Sequence, residues 1–173
     1  MRQLLTFSLL FLILSGCEKT IDPTIHTYQI TGTFRVPTNL QLAAQHALPA
    51  STFFNATDSI LLENGYTMDR VNQILIDSIY VTTNDTTVVD LNFLQELDLL
   101  LEGGSESKLL IGTTGDLPTT IGDTTGLSST TRDLKDYLTS DSLLIWPELI
   151  IDNSVLTPTT VKVVMDLTIE IGE

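Results

Sequence analysis

One cysteine, two histidines, one tryptophan and eight basic residues are all that this 173-residue chain contains of those types. Each shortage excludes something. A lone cysteine permits neither an internal disulfide nor a cysteine-based zinc cluster. The two histidines, His26 and His46, have no partner close in sequence, and a trio such as His46, Ser51 and Asp58 can be written down in any serine-rich chain. Eight basic residues against 22 acids leave a net charge of −14. Such a surface repels phosphate backbones and anionic headgroups, which argues against nucleic acid as a partner and against a polybasic membrane patch. Apolar residues are not scarce: at 42% hydrophobic the chain can bury a core, and its length suits one domain.

Much of that hydrophobicity lies at the front. Arg2 supplies the only charge before the mainly apolar run Leu4 to Leu14, which the small residues Ser15 and Gly16 follow. This is the layout of a secretory signal peptide. Eleven residues at ~1.5 Å each cover roughly half of a ~30 Å hydrocarbon core, too little for a permanent span. The run ends in Leu14-Ser15-Gly16-Cys17, which resembles the lipobox of bacterial lipoproteins. The resemblance covers the signal segment alone. It implies cleavage between Gly16 and Cys17, diacylglycerol on the Cys17 sulfur and a further acyl chain on the new amino group, more than the two signals durable anchoring requires. Residues 1–16 are then the signal and 17–26 an acylated tether. Cleavage leaves 157 residues with 7 basic and 22 acidic side chains, a net charge of −15.

From residue 27 onward the pattern is that of strands. Tyr28, Ile30, Phe34 and Val36 alternate with polar residues, with Gly32 interrupting the apolar face, until Pro37. Residues 39–48 read as a short helix ended by Pro49, and 59–63 as another, capped by Thr57 or Asp58 and released through Asn64-Gly65. Val71 to Thr83 reads as a strand whose phase changes near Asp77-Ser78, the mark of a bulge. Asn84-Asp85 then turns into a return strand over Thr87 to Leu91. Gln95–Glu102 and Lys108–Thr113 form a hairpin around Gly103-Gly104-Ser105, and residues 112–130, rich in Thr and Gly, read as a long surface loop or an irregular edge. Thr131 to Leu138 reads as helical turns with Leu134, Tyr137 and Leu138 on one face. Ser142–Ile151 is a strand in which Pro147 signals an edge or bulge, and Val161–Ile171 is the clearest amphipathic strand of all. About seven strands, two or three short helices and no βαβ rhythm predict a mainly β domain over residues 27–173, an antiparallel β-sandwich of Ig-like or jelly-roll type. The C-terminal half loosely resembles small envelope lipoproteins with such domains, a likeness that carries no functional residues across.

Chemistry-bearing motifs are few. Asp85, Asp90, Asp116, Asp123 and Asp152 fall in or near turns, where calcium takes its oxygen ligands, although no EF-hand run is present and Asp favours turns for conformational reasons. Of these, Asp85, Asp116 and Asp123 are the calcium candidates; no other cofactor is expected beyond the lipid on Cys17. Asp followed by Ser or Thr and an apolar residue or Thr occurs at Asp58, Asp77, Asp85, Asp123 and Asp141, more often than composition predicts. The pattern resembles the O-glycosylation motif of one group of gut and environmental Gram-negative bacteria and makes Thr86 and Thr124 candidate acceptors. Trp146, beside Pro147 in a strand, reads first as a core residue and second as a sugar-binding platform, with Tyr66, Tyr80 and Tyr137 as other rings and Ser140, Asp141 and Glu148 as nearby polar groups.

These readings converge on a non-catalytic binding or assembly module of the envelope, held on the outer membrane by its lipid, facing the periplasm or the medium, with an envelope protein or glycan as partner. Two rivals stand beside it: a carbohydrate-active hydrolase using paired carboxylates, and a surface-fibre subunit whose open strand edge accepts a neighbour's strand. Replacement of Cys17 by alanine is expected to abolish palmitate labelling and release the protein into the soluble fraction; undiminished labelling would contradict the lipobox reading.

Overall fold

A computed structural model describes residues 24–83 and 90–172, with the signal segment, Gly16 and Cys17, and the Asn84-Asp85 turn with Thr86 and most of the expected return strand lying outside them. Alternation decides the centre of the fold. The last strand, β9 (Thr159–Ile171), buries Val161, Val163, Met165, Leu167, Ile169 and Ile171 on one face, as its sequence predicts. It pairs on one side with β1 (Thr24–Val36), residue for residue without a break, and on the other with β4 (Val71–Thr83). Strand β1 begins at Thr24, so Thr24, Ile25 and His26 belong to the sheet and the tether reading of 17–26 extends three residues too far.

The bulge in β4 falls where the phase change places it. The β4–β9 register shifts between Ile76 and Ser78, so that Asp77 and Ser78 both stay exposed while Ile76 and Ile79 remain buried. The two displaced side chains bond across to β9: Asp77 accepts from the Thr168 hydroxyl, and Ser78 donates to Asp166 at 2.5 Å. Gln29 of β1 donates to the other oxygen of Asp166 at 2.8 Å, and these two bonds hold its carboxyl below the usual carboxylate range.

The second half of the sheet is built on β8 (Ser142–Ile151), flanked on one side by β5 (Leu94–Glu102). On its other side lie two fragments, β2 (Gln45–Ala47) and β3 (Ser51–Phe54). Pro147 sits where those fragments part: its carbonyl accepts from Leu48 N–H at 2.9 Å, and its missing N–H faces the gap between them. Strand β6 (Leu109–Thr113) completes the expected hairpin with β5. Strand β7 (Thr124–Ser129) links the halves by pairing with β4 and, over two residue pairs, with β6. All pairings are antiparallel, and among the described residues nine strands and three short helices make a mainly β fold, one curled, half-barrel sheet around a single apolar core.

Three local readings are corrected. Residues 39–48 are not helical: Asn39 and Ala43 take left-handed backbone angles (φ 66° and 54°) that break a helix, and Gln45–Ala47 pairs with β8 instead. The stretch 112–130 is neither all loop nor a sheet edge, for β7 lies within it and pairs on both sides; with Leu127 as the one buried residue of β7, that strand shows no amphipathic pattern. Thr131 to Leu138 is helical only from Tyr137 to Thr139, because Leu134 N–H bonds the Ile74 carbonyl and Asp133 accepts from Ile74 N–H, both at 2.8 Å, drawing the chain along β4. By contrast α1 (Thr57–Glu63) forms as expected and leaves through Gly65 in a left-handed conformation, although its N-cap is Ala56 and no side chain caps it.

Gly32 explains how the sheet closes on itself. In sequence it interrupts the apolar face of β1; in space the ring of Phe53, from the far end of the sheet, lies directly on it, and a Cβ there would collide with the ring. Phe53 is buried to 1% exposure, worth roughly 2–3 kcal/mol in apolar area. Gly32→Ala should cost about 1–3 kcal/mol in urea unfolding, and much less in a Phe53→Ala background. Equal costs in both backgrounds would show that the ring does not require the glycine.

Candidate functional site

The outer face of the β5–β8 half carries the densest chemistry. Residues pointing outward from β8 are Leu144, Trp146, Glu148 and Ile150, and their cross-strand partners on β5 are Glu102, Leu100, Asp98 and Glu96. Trp146 is therefore not in the core: the strand phase that buries Ile145 and Pro147 turns the indole outward, half-exposed. Its Nε1–H donates to Glu102 at 2.7 Å, and the Lys108 ammonium stands 3.3 Å over the ring centre. Ala47, Leu48, Pro49, Pro147 and Glu148 complete a cleft of about 360 Å³ beside the ring.

A smaller groove of about 100 Å³ continues from Glu148 along β8, lined by Gln45, Glu96 and Asp98. Asp98 and Glu148 face each other directly, an arrangement that costs stability for like charges. Neighbours relieve it: Gln45 donates to Glu148 at 2.9 Å and Thr113 to Asp98 at 2.5 Å. Both carboxylates line this groove, and Glu148 lines the larger cleft beside Trp146 as well.

The other candidates scatter. His26 stacks edge-on against Tyr66 with centroids 5.6 Å apart, whereas His46 bonds the Gln41 carbonyl at 2.8 Å. Neither Ser51 nor Asp58 bonds His46 among the described residues. Tyr137 is buried and bonds the Ser107 carbonyl, so it offers no platform. Among the described residues no group of three or more His, Cys, Asp or Glu could hold a metal ion; Asp116 accepts from Gln95, and Asp123 is exposed at the start of β7. Asp85 and Thr86 lie outside the described residues. The four described Asp-Ser/Thr motifs each open an element or mark the β4 bulge, and Ser59, Ser78, Thr124 and Ser142 are all exposed, with Thr124 donating to Thr82 at 3.0 Å. No helix among the described residues is long and apolar enough to cross a membrane.

One buried polar chain escaped sequence reasoning. Asn55 is 5% exposed and Thr57 fully buried; the sequence marks Thr57 only as a helix cap and Asn55 not at all. The Asn55 amide donates to the Leu138 and Ser140 carbonyls at 2.9 and 2.8 Å, and its oxygen accepts from the Thr57 hydroxyl at 2.5 Å. Thr57 has one proton and gives it to Asn55, so the Tyr28 phenol, 2.5 Å away, donates to Thr57. The chain thereby ties β1 and α1 to the segment before β8.

No protein-family model matches the chain, and no curated protein does. A solved structure from Desmodium yellow mottle tymovirus is similar to it at 11% identity, over 87% of this chain and 82% of that one, with a TM-score of 0.28. At that score the two geometries differ too far for one to inform the other.

Burial pushes the Tyr28 phenol up to about 12, above its ordinary value near 10. Between those values the unfolded chain has released this proton and the folded chain has kept it, so stability falls as pH rises from about 10 to about 12, by roughly 2–3 kcal/mol for this group. Tyr28→Phe is expected to flatten that decline in urea unfolding while costing about 1 kcal/mol at neutral pH; an unchanged alkaline slope would remove Tyr28 from the account.

Proposed function

We propose that this chain is a lipid-anchored, non-catalytic binding module of the bacterial cell envelope, and that it binds a neutral glycan on the outer face of β8 at Trp146. The observation that carries the binding half is the outward indole, fixed in orientation by Glu102 and set in a cleft of about 360 Å³. With the N–H bonded to Glu102 and one face under the Lys108 ammonium, a sugar entering the cleft stacks its C–H groups on the other face or displaces the ammonium, while carboxylates and amides take the hydroxyls. Glu102, Glu148, Asp98 and Gln45 supply those partners. The same carboxylates repel uronic or sulfated polymers, which selects for uncharged sugars. Support for the anchoring half is the lipobox ending at Cys17. The outer membrane and an Ig-like or jelly-roll sandwich are the finer readings that go with it, and the single curled antiparallel sheet around one core is compatible with the second.

Trp146 is the sole tryptophan, so its fluorescence reports this site alone. Titration with neutral hexaoses of glucose, mannose and N-acetylglucosamine is expected to shift the emission of the wild-type chain, with Trp146→Ala reducing affinity by calorimetry at least tenfold, the scale of a lost stacking anchor. Absence of any shift together with unchanged calorimetric binding in Trp146→Ala would place recognition elsewhere. Product release from any of these sugars, lost on Asp98→Asn or Glu148→Gln with binding kept, would favour the hydrolase instead.

A further inference from the structure

The two edges of the curled sheet are treated oppositely. At one edge β2 and β3 are three and four residues long and are split by Pro49, two devices that blunt an edge against foreign strands. At the other edge stands β1, thirteen residues long, paired with β9 in an unbroken register and containing no proline and no bulge. Phe53 packs on its inner face at Gly32, but β3 pairs only with β8 and takes none of its hydrogen bonds. Among the described residues no strand, loop or side chain bonds the backbone on the far side of β1. A long, regular, open edge is a template for another strand.

Charge says whose strand. Between Asp22 and Asp58 the sequence has no acid at all, the longest such interval in a chain of net charge −14, and β1 lies inside it with Arg35 and His26 as its only ionisable side chains besides Tyr28. On the outer face the neighbouring β9 adds Asp166 and Glu170 but also Lys162, so with Arg35 this edge carries as many bases as acids, and two copies meet less repulsion there than at the acidic β5–β8 face. We infer that β1 is a self-pairing edge: a second copy of this chain docks its own β1 antiparallel across a two-fold axis, extending the sheet from one molecule into the next. The two-fold makes the contact closed, each copy giving and accepting the same bonds, so it ends at a dimer and not a fibre. This goes beyond glycan binding and leaves the Trp146 cleft, on the β5–β8 half, free in both copies.

The test uses the full chain in its own membrane, with a short bis-maleimide and single cysteines placed at Thr27, Gln29, Thr31 or Thr33, all exposed on the outer face of β1. Cys17 in the unsubstituted chain gives the background, and Ser129→Cys, exposed on β7, is the control. The expected result is a band at twice the chain mass that peaks at one or two adjacent β1 positions and is absent from the control. Adding Glu at the neighbouring exposed position is expected to weaken that band by about fivefold, since like charges then face each other across the axis. Equal crosslinking at β1 and Ser129, or none at either, overturns the inference; so does a β1 crosslink to a chain of different mass, which would assign the edge to another protein.

Discussion

The contact of Phe53 with Gly32 is the constraint on which the rest of this architecture depends. Among the described residues, strand pairing joins the two halves of the sheet only through β7, which meets β6 over two residue pairs. That is a narrow bridge. At the opposite side the halves meet without backbone bonds, and a side chain as large as phenylalanine can approach β1 only where β1 has no side chain of its own. Remove that fit, and β3 must stand away from β1, which opens the core that Ile30, Phe34, Ile145 and Leu143 line from opposite ends of the strand order. The Tyr28–Thr57–Asn55 chain lies close by in sequence and braces the same corner with polar bonds, where apolar packing alone specifies orientation less sharply.

Function follows from which faces this closure leaves outside. The inner faces of both halves are consumed by the core. On the β1–β9–β4 half the outer face is knitted at the β4 bulge by its own polar pairs, Gln29 and Ser78 on Asp166 and Thr168 on Asp77. On the β5–β8 half the outer face holds a tryptophan, a lysine above it and four carboxylates within two rungs. The chemistry on offer therefore differs between the two halves: an open backbone edge at β1 and a ring with carboxylates on β5–β8.

The strands with a buried face were legible in sequence, because period-two alternation reports one-sided burial directly: β9, β1, β8 and β5 appear almost at their observed bounds, and the β4 bulge is visible as a change of phase at Asp77-Ser78. Elements that depend on a distant partner were not. Strand β7 buries only Leu127 and exists because β4 and β6 offer it edges; Gln45–Ala47 is extended because β8 does the same. Trp146 was misjudged for a related reason: hydrophobicity points it inward, but it occupies the outward phase of β8, and counting from the buried Leu143 and Ile145 would have exposed the conflict. Gly32 showed in sequence only as a gap in a pattern; what fills the gap arrives from twenty-one positions further along the chain.

Native-state hydrogen exchange would test most directly whether Phe53 on Gly32 joins the two halves into one cooperative unit. If it does, the slowest amides of β9 and of β8 open together, with the same free energy and the same dependence on denaturant, through global unfolding. Should the β8 amides exchange through a smaller opening that leaves β9 protected, the halves would be separable units held by the β6–β7 bridge alone, and the account given for this fold would be wrong.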